Sequence, residues 1–485
     1  MFSKKTKNYH KTKLESYLTG AIFCTIFLSG FLLWGNAMAA CTGSSPTWTT
    51  TPDYASVSSC VSGASVGDTI NVSAGTATWE STLIITKGIY LIGAGSANTV
   101  ITTTAHPGIA YAPAVGAADD PFRLSGFTFN KATGTNLPIL QWGHINNAPT
   151  AIGNNKLTKG RVDHCVFTST GTATPLVWMY PGTYGVFDNN TFNAYTYAFR
   201  ATDNTYGNAG WTYWGWTPGT SDAVYVENNT FNYTATVDNV GTSSQSSHRW
   251  VFRYNTFNVN SSSFSFFDAH GNMDSQHSSV QISNLYGNKF VAGNKTGQIH
   301  GQRGGQSFVF FNDWQTTGSM PTFKIQEEYA DSNGPGPATN AVTGQPQHVY
   351  NSYYFNNRIN TTGSLIDIDI NKTLGEIPAA NVDVWSQSDW QSDGSAGVGC
   401  GTLAQMNAIT PTVTGVGYWA TDQSCSDLTG MVGVNPATPI SGTLYKCTAT
   451  NTWREYYTPY TYPHPLRTEA NDVIAPASPT GLLVS

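Results

Sequence analysis

A short motif of small or polar residues followed by an aromatic residue recurs along the middle of the chain. Its copies are Gly126–Phe129, His164–Phe167, Asn189–Phe192, Asn228–Phe231, Tyr254–Phe257 and Gly287–Phe290, with weaker ones at Phe311–Trp314 and Asn356–Ile359. Equivalent positions are 38, 25, 39, 26, 33, 24 and 45 residues apart, so the short spacings cluster near 25. Short β-prone runs at such a period are typical of stacked coils. We therefore predict an all-β fold, a single-stranded right-handed parallel β-helix.

The residue types within the motif support this prediction. Asparagine tolerates the left-handed backbone of a tight corner, and stacked asparagine side chains can hydrogen-bond along the ladder. The recurring phenylalanine would then point inward, so we expect one stack formed by Phe129, Phe167, Phe192, Phe231, Phe257 and Phe290. An antiparallel sandwich is the alternative, but hairpin signals such as Asn-Gly are scarce. Glycosylation sequons would explain Asn-x-Thr but not the regular phenylalanine.

The segment before the repeat predicts an N-terminal cap and a first coil. Residues 52–62 read as a short capping helix, and residues 67–76 as turn, strand and turn. Three short β runs follow at residues 83–85, 88–93 and 99–101. This arrangement resembles the start of the pectate lyase-like β-helix superfamily, and the resemblance covers about residues 50–370.

Asp163-His164-Cys165 resembles a short strand motif of pectate lyases. The resemblance implies the β-helix fold rather than a particular reaction. The downstream calcium-binding carboxylates and arginine-rich catalytic segment of that family are not recognisable in this sequence.

The N-terminus reads as an export signal. Five lysines precede an apolar run at residues 21–35, and Ala37-Met38-Ala39 matches a small-x-small cleavage site. We therefore expect a signal peptide over residues 1–39 and a secreted, extracellular or cell-surface protein. An uncleaved anchor and acylation of Cys41 are the alternatives. No later segment is apolar enough to cross a membrane, so no membrane insertion is expected after cleavage.

The composition limits the classes of molecule that the protein is expected to bind. Removing residues 1–39 takes away five of the 23 basic and one of the 29 acidic residues, which leaves a formal charge of −10. Nucleic acid is therefore not expected as a partner. Only 11% of the chain is charged, so hydroxyls, amides and aromatic rims must solvate the surface, which suits a sugar-facing protein. We expect a polysaccharide partner, acidic or neutral, and a monomer.

The cysteines predict disulfide staples at both ends. Six remain after signal cleavage and allow 15 connectivities. Their spacing lacks the paired pattern of zinc sites, and the compartment is oxidising. We predict a Cys41–Cys60 bridge and one bridge among Cys400, Cys425 and Cys447. The expected organisation is an N-terminal cap at 40–65, the β-helix at 66–385, a disulfide-stapled C-terminal cap at 386–470 and a linker-like tail at 471–485.

One strand near the middle of the repeat carries two arginines. Residues 248–254 alternate so that Trp250, Phe252 and Tyr254 share one face while Arg249 and Arg253 share the other. With the aromatic face buried, both arginines would stand outside on the same face of the strand. Guanidinium groups recognise carboxylates bidentately, so the pair could bind a uronic-acid polymer. A pair of solvated arginines is the alternative.

The next two coils supply further polar side chains. If neighbouring coils stack, five candidate catalytic residues should converge on one outer face: Arg253, Asp268, His270, His300 and Arg303. Such a group could hold a general base, a carboxylate-neutralising cation and a metal ligand. A polar corner ladder without chemistry is the alternative.

Two later strands carry alternating charges. Lys324 is a candidate substrate-binding cation, and Asp367 and Asp369 share one face as candidate calcium ligands or hydrolytic acids. No further oxygen donor is apparent nearby, so solvated strand faces compete with this interpretation. No cofactor is required by the sequence, and calcium is the metal that these aspartates would hold.

An insertion between coils is rich in aromatic residues. Trp211, Tyr213, Trp214 and Trp216 lie within six residues. Aromatic faces stack on sugar rings, so we predict sugar contact, with packing of the insertion itself as the alternative.

Together these patterns predict a polysaccharide-active protein. A lyase that cleaves a uronate polymer by β-elimination is favoured over a glycoside hydrolase on the same fold, because the candidate residues include several cations. A non-catalytic adhesion protein that uses the same scaffold is the second hypothesis.

Overall fold

The computed structural model describes most of the chain after the predicted signal. The described residues are 41–105, 107–113, 117–132, 138–143, 156–169, 175–180, 182–195, 197–201, 217–233, 243–244, 248–259, 266–271, 279–327, 348–370 and 378–467. The predicted signal at 1–39 and the predicted tail at 471–485 lie outside them.

Three long sheets make up the body of the protein, with strands numbered in chain order. The first contains β1 (Thr42–Ser44), β2 (Thr47–Thr50), β3 (Thr69–Val72), β6 (Tyr90–Gly93), β9 (Phe122–Ser125), β12 (Gly160–Asp163), β15 (Gly185–Asp188), β18 (Val224–Glu227), β21 (Arg249–Arg253), β24 (Ile282–Tyr286), β27 (Phe308–Phe310), β30 (Ser352–Phe355) and β33 (Val384–Ser386). The second contains β4 (Gly75–Trp79), β7 (Thr99–Thr103), β10 (Thr128–Lys131), β13 (Val166–Thr168), β16 (Thr191–Ala194), β19 (Thr230–Tyr233), β22 (Thr256–Asn258), β25 (Lys289–Gly293), β28 (Asp313–Thr316) and β31 (Arg358–Ile359). The third contains β5 (Leu83–Ile85), β8 (Ile109–Tyr111), β11 (Leu140–Trp142), β14 (Val177–Met179), β17 (Phe199–Ala201), β20 (Ser243–Ser244), β23 (Phe267–Ala269), β26 (Gln298–Gln302), β29 (Thr322–Ile325) and β32 (Ile368–Ile370).

The chain visits the three sheets in strict rotation. Within each sheet the hydrogen-bonded neighbour of a strand from β3 onward is the strand three positions later, and these pairs are parallel. Among the named strands of these three sheets, as far as the structure describes them, the one antiparallel pair is β1 with β2. One strand from each sheet forms a rung, so β3 to β32 make ten rungs. The parallel all-β architecture expected from the repeat is confirmed.

A short helix closes the N-terminal end. Helix α1 (Tyr54–Gly63) begins after Asp53, whose carboxylate accepts the backbone N–H of Ser56 and satisfies one unpaired donor of the first turn. It buries Val57 and Cys60, and Cys60 forms the predicted disulfide with Cys41. The helix agrees with the predicted span of 52–62. Gly75 and Thr76, at the end of the segment predicted as turn, strand and turn, belong instead to strand β4.

The interior contains the predicted phenylalanine stack. Phe129, Phe167, Phe192, Phe231, Phe257 and Phe290 are direct strand partners in the second sheet. Adjacent rings lie nearly parallel at centroid distances between 4.6 and 5.6 Å, and all six are buried. These phenyl rings belong to one core with apolar residues of all three sheets, so the prediction of a shared interior is confirmed.

An asparagine ladder runs along the turn between the first and second sheets. Its members are Asn190, Asn229, Asn255, Asn288, Asn312 and Asn357. Each side-chain oxygen accepts the backbone N–H of the preceding member, and each side-chain amide donates to a backbone carbonyl of the first sheet, as Asn255 does to Val226 at 2.8 Å. The left-handed residue is the one before the ladder position, for example Asn228 with φ of 58°. The ladder thus satisfies buried backbone groups that no strand partner reaches.

The C-terminal residues form a smaller sheet. It contains β34 (Val398–Gly401), β35 (Gly417–Ala420), β36 (Thr443–Ala449) and β37 (Thr452–Tyr457), with α2 (Leu403–Asn407) beside it and a 3₁₀ helix at Pro465–Arg467. The second disulfide joins Cys400 to Cys425, which confirms a bridge among the last three cysteines, and Cys447 remains a buried thiol.

The last described segment lies against the outer face of the first sheet. We call residues 457–467 the C-terminal arm. Arg253 donates to the carbonyl oxygens of Tyr460 and Thr461, and Arg467 pairs with Glu227 at 2.8 Å. Arg253 points away from the interior, as predicted. Its predicted exposure to solvent is wrong, because the arm buries it completely.

Arg249 and Tyr254 also differ from their predicted surroundings. Arg249 is fully buried, with its Nε bonded to Gln281 and its guanidinium 5.7 Å from the Tyr184 ring. Tyr254 adopts φ of 55° at the corner after β21, so its ring leaves the Trp250 face and packs under the arm, 4.2 Å from Tyr462.

Two buried histidines favour their neutral form. His300 lies in the interior, where its ring nitrogens contact the hydroxyls of Ser283 at 3.0 Å and Tyr354 at 3.1 Å. His464 lies in the arm beside Tyr225. Burial lowers the pKa of each histidine to about 3, because the charged imidazolium loses its hydration.

Replacing one ladder asparagine should destabilise the protein far more than replacing an outer one. Asn255→Ala leaves buried backbone groups of Asn229 and Val226 unpaired, so we expect a loss of about 3 kcal/mol. Asn258→Ala, in the same rung, removes an amide that bonds Asn232 on the half-buried outer face, and should cost less than about 1 kcal/mol. Urea unfolding monitored by circular dichroism measures both. Equal losses would contradict the proposed role of the ladder.

Acid should destabilise the fold below about pH 6.5. An unfolded histidine binds a proton near that pH, whereas buried His300 stays neutral down to about pH 3. The unfolded state therefore binds more protons, and the free energy of unfolding falls by about 1.4 kcal/mol per pH unit for each such histidine as the pH decreases. His300→Gln should make the dependence of the unfolding free energy on pH shallower between pH 4 and 6. The reduction should correspond to about one proton fewer taken up on unfolding. An unchanged slope would show that His300 is not neutral in the folded protein.

Candidate functional site

The outer face of the third sheet carries one continuous column of aligned residues. In strand order it reads Ile84, Ala110, Gln141, Trp178, Arg200, the backbone of Ser243, Asp268, Gly301, Lys324 and Asp369. Their strand neighbours point inward, as Phe267 and Ala269 do on either side of Asp268. Parallel strands lie about 4.8 Å apart, so side chains from successive rungs form a track along the sheet.

An ionic cluster lies in the middle of this track. Asp268 and His270 leave β23 on the same side because Ala269 between them points inward. His270 Nε2 lies 2.8 Å from the Asp268 carboxylate, and Arg303 Nη2 lies 2.7 Å from each of its oxygens. Gly301 is the strand partner of Asp268, so no side chain blocks Arg303 as it reaches back one rung. The predicted convergence is confirmed for Asp268, His270 and Arg303.

The cluster holds an ionised carboxylate in a largely buried position. Burial alone would raise the pKa of Asp268, but His270 and Arg303 outweigh it and lower the pKa to about 2. The side chains of His270 and Arg303 remain 11% and 15% exposed. The geometry thus presents an imidazole oriented by a carboxylate, next to a guanidinium, which is an arrangement suited to proton transfer beside an anionic group.

An aromatic platform lies on the same face. The rings of Trp178 and Tyr180 stack at a centroid distance of 6.0 Å, and the Arg200 guanidinium lies 5.5 Å from the Trp178 ring. Trp178 is three rungs from Asp268, or about 14 Å along the sheet. This platform was not predicted from the sequence. Trp178 is half-buried and Tyr180 is buried behind it, and the alternation of Trp178 with the buried Val177 and Met179 is the signal that could have revealed the outward-facing indole.

Two predicted members of the site lie elsewhere. Arg253 belongs to the first sheet and lies beneath the C-terminal arm, so its predicted convergence with Asp268 is wrong. His300 also belongs elsewhere: the register of β26 against β29 shifts between Gln298 and His300, and Ile299 and His300 are both buried. A bulge of this kind turns a side chain to the other face.

The remaining predicted residues fall into three groups. Lys324 is on the outer column, two rungs beyond Asp268, with Asp369 as its strand partner. Asp367 and Asp369 are exposed, and the described part of the chain contains no group of three His, Cys, Asp or Glu side chains that could hold a metal. Trp211, Tyr213, Trp214 and Trp216 lie outside the described residues.

A scan against protein-family models finds no match to this chain, and a search of curated proteins finds none either.

Proposed function

We propose that the chain is a secreted right-handed parallel β-helix that binds a carbohydrate polymer along the outer face of its third sheet. The single observation that carries the proposal is the alignment of an aromatic platform, an ionic cluster and a lysine in one column of that face. Aromatic faces stack on sugar rings, and cations bind sugar carboxylates. Connections between parallel strands are almost always right-handed, which supports the proposed hand.

The two disulfides and the resemblance of the N-terminus to an export signal support the proposed secretion. Two disulfides occur in a chain whose N-terminus resembles an export signal, and disulfides persist in oxidising compartments. Among the described residues, no helix reaches the length and apolarity that a bilayer crossing requires.

We propose β-elimination on a uronate-containing polymer as the reaction. Asp268 would fix the orientation of His270, whose ring nitrogens also lie 2.6 Å from Arg303 Nη2. A sugar carboxylate that binds Arg303 would release one ring nitrogen, and His270 would then take the proton from the carbon beside that carboxylate. The adjacent C–O bond would break as the C=C double bond forms, and the leaving oxygen would take a proton from water. Arg303 and Lys324, one and two rungs beyond Asp268, would offset the charge of the carboxylate and of the developing anion. Trp178, which is half-buried and backed by Tyr180, would hold a neighbouring part of the polymer.

Hydrolysis fits this face less well. A glycoside hydrolase normally needs two carboxyl groups roughly 5 to 9.5 Å apart. Along the column, Asp268 and Asp369 are three rungs apart, or about 14 Å. Asp268 is also held ionised by Arg303, so it cannot serve as the protonated acid.

Non-catalytic binding is the second candidate function. The aromatic platform favours it by itself, because stacking on Trp178 needs no reactive group. Loss of binding and loss of turnover therefore have to be measured separately.

Trp178→Ala should weaken polymer binding about tenfold, since a stacking contact contributes about 1 kcal/mol and Arg200 loses its aromatic partner as well. Affinity electrophoresis in gels containing pectate, alginate or a glycosaminoglycan measures the change. Trp453→Ala is the matched control, because Trp453 is a half-buried tryptophan of the C-terminal sheet. Unchanged retardation of the Trp178 variant would place the polymer elsewhere.

His270→Ala and Arg303→Ala should each lower turnover by about a hundredfold or more while the polymer still binds. The measurement is the ultraviolet absorbance of the unsaturated product. His348→Gln, which alters a partly exposed histidine beside Glu327, is the control. Unimpaired turnover in both variants would refute the proposed catalytic cluster, and a wild-type protein that binds polymer without product would favour the adhesion function.

A further inference from the structure

A ladder of ion pairs crosses the outer face of the first sheet. It alternates Arg123, Asp163, Arg161, Asp188, Arg467, Glu227 and Arg253, and the distances between successive partners are 2.7, 3.6, 2.8, 3.3, 2.8 and 2.6 Å. Four arginines face three carboxylates, so the ladder carries one surplus positive charge. All three carboxylates are completely buried, and therefore only cationic groups of the ladder reach solvent.

The C-terminal arm covers one end of this ladder and leaves the other open. Along the ladder of ion pairs, the last contact with the arm is a hydrogen bond of 3.2 Å that Arg161 donates to the Leu466 carbonyl oxygen. Beyond it, towards the N-terminus, the outer faces of β3, β6 and β9 form the floor of a cleft of about 350 Å³. That volume lies within the roughly 300–1,000 Å³ range of small-molecule sites.

Two cationic or ionisable groups face this cleft. Arg123 holds Asp163 through two bonds of 2.7 Å, and 12% of its side chain is exposed. His164 Nδ1 lies 2.7 Å from the same carboxylate, which fixes the ring, and 41% of its side chain is exposed. With Nδ1 occupied by Asp163, the other ring nitrogen is the polar atom that His164 can offer to a ligand.

The rest of the lining offers neutral polar groups and one apolar patch. Thr69, Asn71, Ser125 and Asn189 contribute hydroxyls and amides, and Ile92 contributes an apolar surface. None of the described residues that line the cleft is acidic. Gly126, with φ of 79°, keeps the rim tight, because an added Cβ would lie 2.9 Å from the Gly93 carbonyl oxygen.

We infer that this cleft binds a small hydroxylated anion, a sugar unit that carries a carboxylate. The carboxylate would lie against Arg123 and His164, where the surplus charge of the ladder reaches solvent, and the sugar hydroxyls would bond the neutral polar side chains. The cleft is on the first sheet, so it is separate from the proposed polymer track on the third sheet and does not depend on it.

Histidine ring signals in NMR spectra of the mature protein provide the test. Titration with galacturonate should shift the His164 signals, which are assigned from their loss in His164→Gln. Neutral galactose should bind about tenfold more weakly, because it lacks the charge-assisted bonds. Added salt should weaken galacturonate binding, because the charged groups are partly exposed.

Three variants separate this site from the third sheet. Asn71→Trp fills the floor of the cleft and should abolish the galacturonate-induced shift of the His164 signals, whereas Arg303→Gln and the control His348→Gln should not alter it. Equal affinity for galactose, no binding by the wild type, or loss of binding in Arg303→Gln alone would each overturn the inference. Polymer binding on Trp178 is measured independently, so either site can fail without the other.

Discussion

The hydrogen bonds of the asparagine ladder are the constraint on which the rest of the structure depends. Each rung turns sharply between the first and second sheets, and the turn removes backbone groups from the parallel ladders while it keeps them buried. In six of the ten rungs one asparagine supplies both the acceptor and the donor that these groups need, as Asn255 does for Asn229 and Val226. From Asn229 onward the same asparagine fixes its rung relative to the preceding one, because its oxygen must meet the backbone N–H of the preceding ladder asparagine.

The asparagine ladder fixes the register of successive rungs at one corner, and this explains why residues on the outer faces align in columns. Insertions at the other corners then change the length of a rung but not its register with its neighbours. The steps between Asn190 and Asn357 range from 24 to 45 residues, yet the phenyl rings from Phe129 to Phe290 stay in direct register. Side chains from sequence-distant rungs, such as Asp268 and Arg303, therefore meet at predictable positions.

The local sequence pattern was sufficient to predict the features that depend on the asparagine ladder and on core packing. The phenylalanine stack, the capping helix and the Cys41–Cys60 bridge follow from spacing and residue type, and so does the meeting of Asp268, His270 and Arg303. The errors have non-local causes. Arg249 and Arg253 alternate with the aromatic residues as expected. The exposure of Arg253, however, is decided by its contacts with a segment more than 200 residues later in the chain. His300 was misplaced by a single shift in register, which alternation cannot reveal.

The C-terminal arm has a consequence for the order in which the chain can reach its final state. Rungs can stack one after another as soon as their residues are available, since each contacts mainly its neighbours. Glu227 and Arg467, in contrast, are 240 residues apart and join only when the end of the chain has arrived. Until then the charged surface of the first sheet stays hydrated. The arm therefore removes water from these charges only after the rungs can already have formed, and a chain without residues 457–467 would keep its rungs but leave those charges in contact with solvent.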